Sequence, residues 1–334
     1  MFRRSMMALV AFAAVASAVR PAAADSKGML FATPGIPPIF ASTISIVADK
    51  EGLFKKYGAD VEVKFFDSGT AAARAVLSGD IDFSLSPSVL LATQISNADA
   101  PLVAIYGMPS PDFVLASTDP KKVACQDTVG QPVGVDTPGG QRSLMLKEML
   151  LACGAKIEDV QQIPLGSNTG AAMLAGQLTF GVLHLDDVSV LQNHGKPVTT
   201  IMSINKANPM SHNILGLARI DRLKEKRDGF VHLLAGLIVA ARYMKDPANA
   251  DHIADLAAPT GRTHDEAKTA LAAFNAIGAW PTNDDGLDQA KLEYMIQNQI
   301  KIGGIQPGKT PVTYDRLVDR SVWRDAAALV DSKK

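Results

Sequence analysis

An excess of charge of either sign is missing from this sequence. Its 33 Lys and Arg stand against 34 Asp and Glu in 334 residues, a net charge of −1. That balance offers no basic footprint for nucleic acid. Cysteine is nearly absent, with Cys125 and Cys153 alone, so at most one bridge can form. Aromatic residues make up only 6%, and both tryptophans, Trp280 and Trp323, lie in the C-terminal part, where packing is their expected role. Catalytic signatures are missing too. There is no Gly-x-Ser-x-Gly, no His-Glu-x-x-His and no Gly-x-x-x-x-Gly-Lys-Ser/Thr. Beyond the N-terminal region the longest apolar run is about Leu233 to Ala241, which suits a buried helix rather than a membrane span.

The N-terminus carries the one export pattern. Arg3 and Arg4 precede the apolar or small stretch Met6 to Val19, and Ala22-Ala23-Ala24 supplies small residues for a cleavage site. Residues 6–19 are short of the ~20 that span a bilayer, so the pattern predicts a signal peptide over 1–24, with the mature chain starting at Asp25. The segment holds three arginines and no acid, so its removal takes the net charge from −1 to −4. A periplasmic location follows, and with it an oxidising compartment. There an even cysteine count leans toward a Cys125–Cys153 disulfide, the alternative being two buried free thiols.

The remaining chain says nearly the same thing twice. Thr33-Pro34-Gly35 returns as Thr137-Pro138-Gly139, and Gly58-Ala59-Asp60-Val61 as Gly154-Ala155-Lys156-Ile157. Ala75 to Phe83 is echoed by Ala172 to Phe180. A period of about 100 residues exceeds the ~20–50 of solenoid repeats. It fits two α/β lobes facing each other across a cleft.

Hydrophobic periodicity supports this. Strands are expected at 29–33, 61–66, 81–85, 102–106 and 113–116, with helices at 42–50, 70–77 and 87–95 between them. Ser86 is the expected cap of the third helix. The alternation resumes with strands at 133–135, 160–164, 179–183 and 198–203, and turns mainly helical from Asp221 onward. A mostly parallel sheet in each lobe follows. The expected division is lobe 1 from 25–112 plus 220–334, including the C-terminal helices, and lobe 2 from 113–219. The connectors near 112–117 and 213–219 would form the hinge.

Small polar turns stand after strands and before helices, where open α/β sheets bind ligands. They supply Ser68, Gly69 and Thr70, then Ser86 and Ser88, then Thr137, Gly140, Gln141 and Arg142, then Asn168 and Thr169. Phe40, after Pro37-Pro38, is the best-placed aromatic to stack on a ring, and Ser42 at the next helix start is grouped with the cleft. Arg142 in a first helical turn gains nothing from the helix dipole, so it points to an anionic partner, or else to a surface carboxylate. His184 and Asp186 are further ligand candidates, although a helix-cap role for Asp186 or Asp187 explains them equally. No metal or cofactor is expected, since His184-Leu185-Asp186-Asp187 lacks a local third ligand.

The stretch Ala48 to Glu62, with Gly52-Leu53-Phe54 and Gly58-Ala59-Asp60-Val61, resembles the A-x-x-x-G-L-F-x-x-x-G-x-x-V segment of periplasmic solute-binding proteins of the nitrate/sulfonate/thiamine-precursor (NMT1-like) family. Ser68-Gly69-Thr70 with Leu77 to Asp82, Val133 to Arg142 and Leu174 to Gln177 resemble the segments that follow. The resemblance covers roughly residues 29–220. It implies a type II two-lobed fold and a monomeric receptor that delivers a small organic solute, anionic or aromatic, to the permease of an ABC importer. Contact with the membrane would then run only through that permease. Pyrimidine synthases of the superfamily carry a Cys- and His-rich cluster that this chain lacks. The rival reading is a periplasmic enzyme using the same cleft, with His184 and Asp186 as acid–base groups, and a third is a receptor for another transporter or a sensor.

Overall fold

The computed structural model describes residues 28–333; the expected signal peptide and Asp25 lie outside the described residues. The first half runs β1 (Met29–Pro34), α1 (Thr43–Lys50), α2 (Leu53–Lys56), β2 (Val61–Phe66), α3 (Gly69–Ser78), β3 (Phe83–Pro87), α4 (Ser88–Ala98) and β4 (Leu102–Met108). After β5 (Phe113–Ser117) the plan repeats as β6 (Pro132–Val135), α5 (Gln141–Ala152), β7 (Gln161–Pro164), α6 (Thr169–Leu174), β8 (Phe180–His184), α7 (Leu185–Asn193), β9 (Thr199–Ser203) and α8 (Ile204–Ala207). Then β10 (Ile214–Arg219) leads into α9 (Ile220–Glu225), α10 (Arg227–Lys245), α11 (Ala250–Leu256), α12 (His264–Ala276), α13 (Gln289–Lys301), α14 (Tyr314–Leu317) and α15 (Ser321–Asp331).

The internal repeat is a repeat of topology. One sheet has the order β2-β1-β3-β10-β4 and the other β7-β6-β8-β5-β9. Each contains four mutually parallel strands and one antiparallel strand, β10 or β5, inserted at the same place. That inserted strand is the connector arriving from the other half. Strand β10 therefore belongs to the first sheet, whereas the expected lobe 2 ran through residue 219. The free connectors are the short stretches 109–112 and 208–213, on either side of these strands.

Period-2 alternation sends successive strand residues to opposite faces. In β4, Val103 and Ile105 enter the core under α1, α2, α10 and α15, while Leu102 and Ala104 pack with α3, α4 and α13. In β5, Phe113 and Leu115 face α5, while Val114 and Ala116 face Met173 and Leu191. Both sheets are thus covered on both sides, which suits parallel strands. Helix α10 carries the Leu233–Ala241 run in the first core, as expected. No helix among the described residues is long and apolar enough to cross a membrane.

Cys125 and Cys153 form a disulfide beside β6 and the end of α5. One local expectation fails. Pro87, not Ser86, caps α4, because β3 extends through Pro87, and Ser86 instead shares a hydrogen bond of 2.9 Å with Ser84.

Candidate functional site

A cavity of about 770 Å³ lies between the two sheets, at the carboxyl ends of their parallel strands. From the first sheet come Pro34-Gly35 after β1, Asp67 to Thr70 after β2, and Ser86-Pro87 at the end of β3. From the second come Asp136-Thr137 and Gly139 to Arg142 after β6, Gly166-Ser167 after β7, and His184 at the end of β8. Local sequence makes these turns possible. Gly35 adopts φ +102°, and a Cβ there would run into the Ile39 and Pro37 backbone. At Gly69 a Cβ would stand 2.6 Å from Pro87 Cδ, so only glycine lets α3 start this close to β3.

Helices α3, α4, α5 and α7 all begin at this cavity. Their caps Ser68, Pro87, Gly140 and His184 line it. Four positive helix ends thereby converge on one space. Ser68 Oγ accepts the Ala71 N–H at 3.2 Å, while α4 and α5 have no side-chain cap. Apolar surface comes from Ile39, Leu85, Val89, Leu90, Phe113 and Ile302.

Nine of the expected residues line the cavity: Ser68, Gly69, Thr70, Ser86, Thr137, Gly140, Gln141, Arg142 and His184. Six do not. Phe40 is only 1% exposed and packs against Phe274 and Trp280, with ring centroids 5.1 and 6.5 Å away, so it cannot stack on a solute in the cleft. Ser42 is buried, accepting from Thr33 Oγ1 at 2.7 Å and donating to the Pro34 carbonyl at 2.9 Å. Ser88 donates to the His212 carbonyl at 2.8 Å. Thr169 is buried, its methyl filling the space beside Gly134 and Gly181. Asn168 is exposed outside the cavity lining. Asp186 is buried and held by Arg262, at 2.9 Å from Nε and 2.5 Å from Nη2.

Arg142 needs a second correction. Sequence placed it at an exposed helix start seeking a partner charge. It is 5% exposed, donates to the Val182 carbonyl at 3.1 Å, and pairs with Asp187 at 3.5 Å. Asp187 also receives Arg262 at 2.8 Å, and its other oxygen accepts the His184 N–H at 3.2 Å, which caps α7. Arg142 and Arg262 together face Asp186 and Asp187, so the positive charge of Arg142 is already matched. Burial alone would raise the Asp187 carboxyl, but Arg142, His184 and Arg262 outweigh it and hold it below the usual range. Asp186 is pushed up by burial and by Asp187, against the pull of Arg262.

Sequence reasoning missed Asp112, Phe113, Asn213 and Arg74, all of which line the cavity. Asp112 and Asn213 immediately precede β5 and β10. The amino end of an antiparallel strand lies beside the carboxyl ends of its parallel neighbours, so the connectors that would act as hinge also floor the site. Arg74 of α3 forms no ion pair among the described residues. Asp112 Oδ2 lies 2.7 Å from His184 Nδ1. With Asp186 these two bring three ligand atoms within 4.8 Å of one another, the third ligand that the local sequence lacked. The guanidinium on Asp186 makes this an ion-pair network rather than an open metal site.

A family described as NMT1/THI5 like matches residues 40–250. A Brucella abortus (strain 2308) protein, provisionally named as a binding protein, is 28% identical over 143 residues. That match spans 42% of this chain and 43% of the relative, less than half of its length. Among solved structures, the periplasmic nitrate-binding protein NrtA from Synechocystis PCC 6803 superposes with a TM-score of 0.74 at 14% identity, covering 92% of this chain and 90% of that one. The periplasmic aliphatic sulphonate binding protein SsuA from Escherichia coli gives 0.69 at 15% identity, covering 89% and 99%. DszB, an enzyme crystallised with biphenyl-2-sulfinic acid, gives 0.64 at 15% identity, covering 90% and 99%. At these identities the likeness is one of fold.

Proposed function

Because the chain belongs to the NMT1/THI5-like family, we propose that it is an extracytoplasmic receptor which captures a small acidic organic solute between its two sheets and hands it to the permease of an ABC importer. The observation that carries this reading is the cavity of about 770 Å³ onto which both sheets direct their strand ends and four helix starts. Its size suits a small organic molecule. Converging backbone N–H groups favour an anionic head, and Ile39, Val89, Leu90 and Ile302 offer an apolar wall for its body. Arg74 stands by as a cation with a free guanidinium. Rotation about 109–112 and 208–213 would close the two lobes, 28–108 with 214–333 and 113–207, over the solute.

Catalysis is the weaker reading. Asp186 is engaged by Arg262, and both cysteines are bonded to each other, so neither is a nucleophile. The test is a thermal-shift screen of sulfonates, aromatic acids, nitrate and pyrimidines. A solute at one hundred times its Kd adds about 2.7 kcal/mol to the folded state. For a domain of this size that raises Tm by about 4 °C. An acidic solute is expected to do so. Turnover of a bound solute would replace the receptor reading with the enzymatic one.

A further inference from the structure

We propose that His184, oriented by Asp112, reads the acidic head of the solute, and that capture is therefore gated by pH. This rests on the receptor reading above and names the group that discriminates. His184 is the cap of α7 and lines the cavity. Its Nδ1 lies 2.7 Å from Asp112 Oδ2, so the carboxylate takes the Nδ1 proton and leaves Nε2 for the solute. Phe113 holds the ring from the side, with centroids 4.4 Å apart.

Asp112 is itself fixed. Its side chain is 1% exposed, and its other oxygen accepts from Asn213 Nδ2 at 3.5 Å. Asn213 Oδ1 accepts from Gln141 Nε2 at 2.9 Å. The chain Gln141–Asn213–Asp112–His184 thus joins the start of α5, both connectors and the end of β8. On the first-sheet side, Ser88 N–H donates to the Asn213 carbonyl at 3.0 Å. A solute that engages His184 or Gln141 therefore touches the same hydrogen-bonded chain that spans both hinge connectors. Asp112 and Asn213 are positioning residues in this arrangement.

Burial by itself disfavours the imidazolium, and Arg142 opposes it. The Asp112 carboxylate, its hydrogen bond and the charge of Asp186 outweigh both, so His184 titrates above its ordinary value. Asp187 bonds the His184 backbone N–H, and Arg262 faces both α7 carboxylates. When His184 is doubly protonated, Nε2–H donates to an anionic oxygen. When it is neutral with its proton on Nδ1, Nε2 presents a lone pair that repels that oxygen. Affinity for an anion then falls about tenfold per pH unit above the His184 midpoint.

The experiment uses benzoate and methanesulfonate as probes, with benzamide and methanesulfonamide as uncharged counterparts, from pH 5.5 to 8.5. Binding is followed by Tm, and the His184 ring by its Cε1–H resonance. The anions are expected to bind at least tenfold more tightly at pH 5.5 than at 8.5 and to raise the His184 midpoint. His184→Gln should keep a donor but lose this pH dependence, and Asp112→Asn should lower the midpoint. Anion binding that leaves the His184 midpoint unmoved, or that keeps its pH dependence in His184→Gln, overturns the inference while the receptor reading stands. If only the amides bind, His184 is not an anion reader and the inference fails. If no probe raises Tm at any pH, the reading as a receptor for such acids fails and takes the inference with it.

Discussion

Replacing Arg142 by alanine separates a solute contact from a structural charge. The side chain is buried, donates to the Val182 carbonyl and shares Asp187 with Arg262. Its removal strands one hydrogen bond acceptor and halves the positive charge facing two buried carboxylates. Breaking a buried ion pair by deleting one partner costs about 3–5 kcal/mol. Arg262 stays on Asp187 at 2.8 Å, which puts the expected loss at the low end, about 3 kcal/mol. With a urea m-value of about 3 kcal/mol/M, the unfolding midpoint should fall by about 1 M. The sign of its pH dependence also follows. Asp187 titrates below its unfolded value, so the stability it contributes is present above about pH 4 and is lost as pH falls through its folded value. The gap between wild type and Arg142→Ala should therefore narrow in acid. An unchanged midpoint at neutral pH, combined with lost solute binding, would refute this reasoning and return Arg142 to the role of a ligand contact.

Three other outcomes are expected. His212 is buried, with Nε2 2.8 Å from the Gly286 carbonyl, and burial lowers its pKa to about 4. The unfolded chain takes up that proton near pH 6.5, so stability should drop by about 3 kcal/mol between pH 6.5 and 4, and His212→Gln should flatten that slope in urea melts. Opening the Cys125–Cys153 bridge, which spans 28 residues, should cost about 3–4 kcal/mol by the loop-entropy relation, read as a lower urea midpoint of the double serine variant. Thr70→Ala removes one hydroxyl from the cavity wall and should weaken binding of a stabilising acid by about two- to tenfold in calorimetry, with Tm of the free protein unchanged.

Much of the architecture was legible in the chain because it depends on local signals. The strands at 61–66 and 133–135 announce themselves by alternation or apolar runs, and the glycines at 35, 69 and 140 mark where each strand turns into a helix. The recurrence of Thr-Pro-Gly 104 residues apart corresponds to β1 and β6 holding the same place in two equivalent sheets. What escaped was whatever depends on distant partners. Arg142 reads as an unpaired cation until Asp187, 45 residues on, and Arg262 are brought beside it. Phe40 reads as available until Phe274 and Trp280 close over it. Asp112 looked like part of a hinge alone, because only the antiparallel insertion of β5 puts its start at the mouth of the parallel strands.

The central claim is that an acidic solute sits between the two sheets. A crystal structure of the protein with the acid that most raises its Tm tests this directly. The account predicts density in the cleft, with the acidic group among Thr70, Gln141 and His184 and the lobes rotated together about 109–112 and 208–213. Density on the outer surface, or a cleft filled only by water at saturating solute, would contradict it.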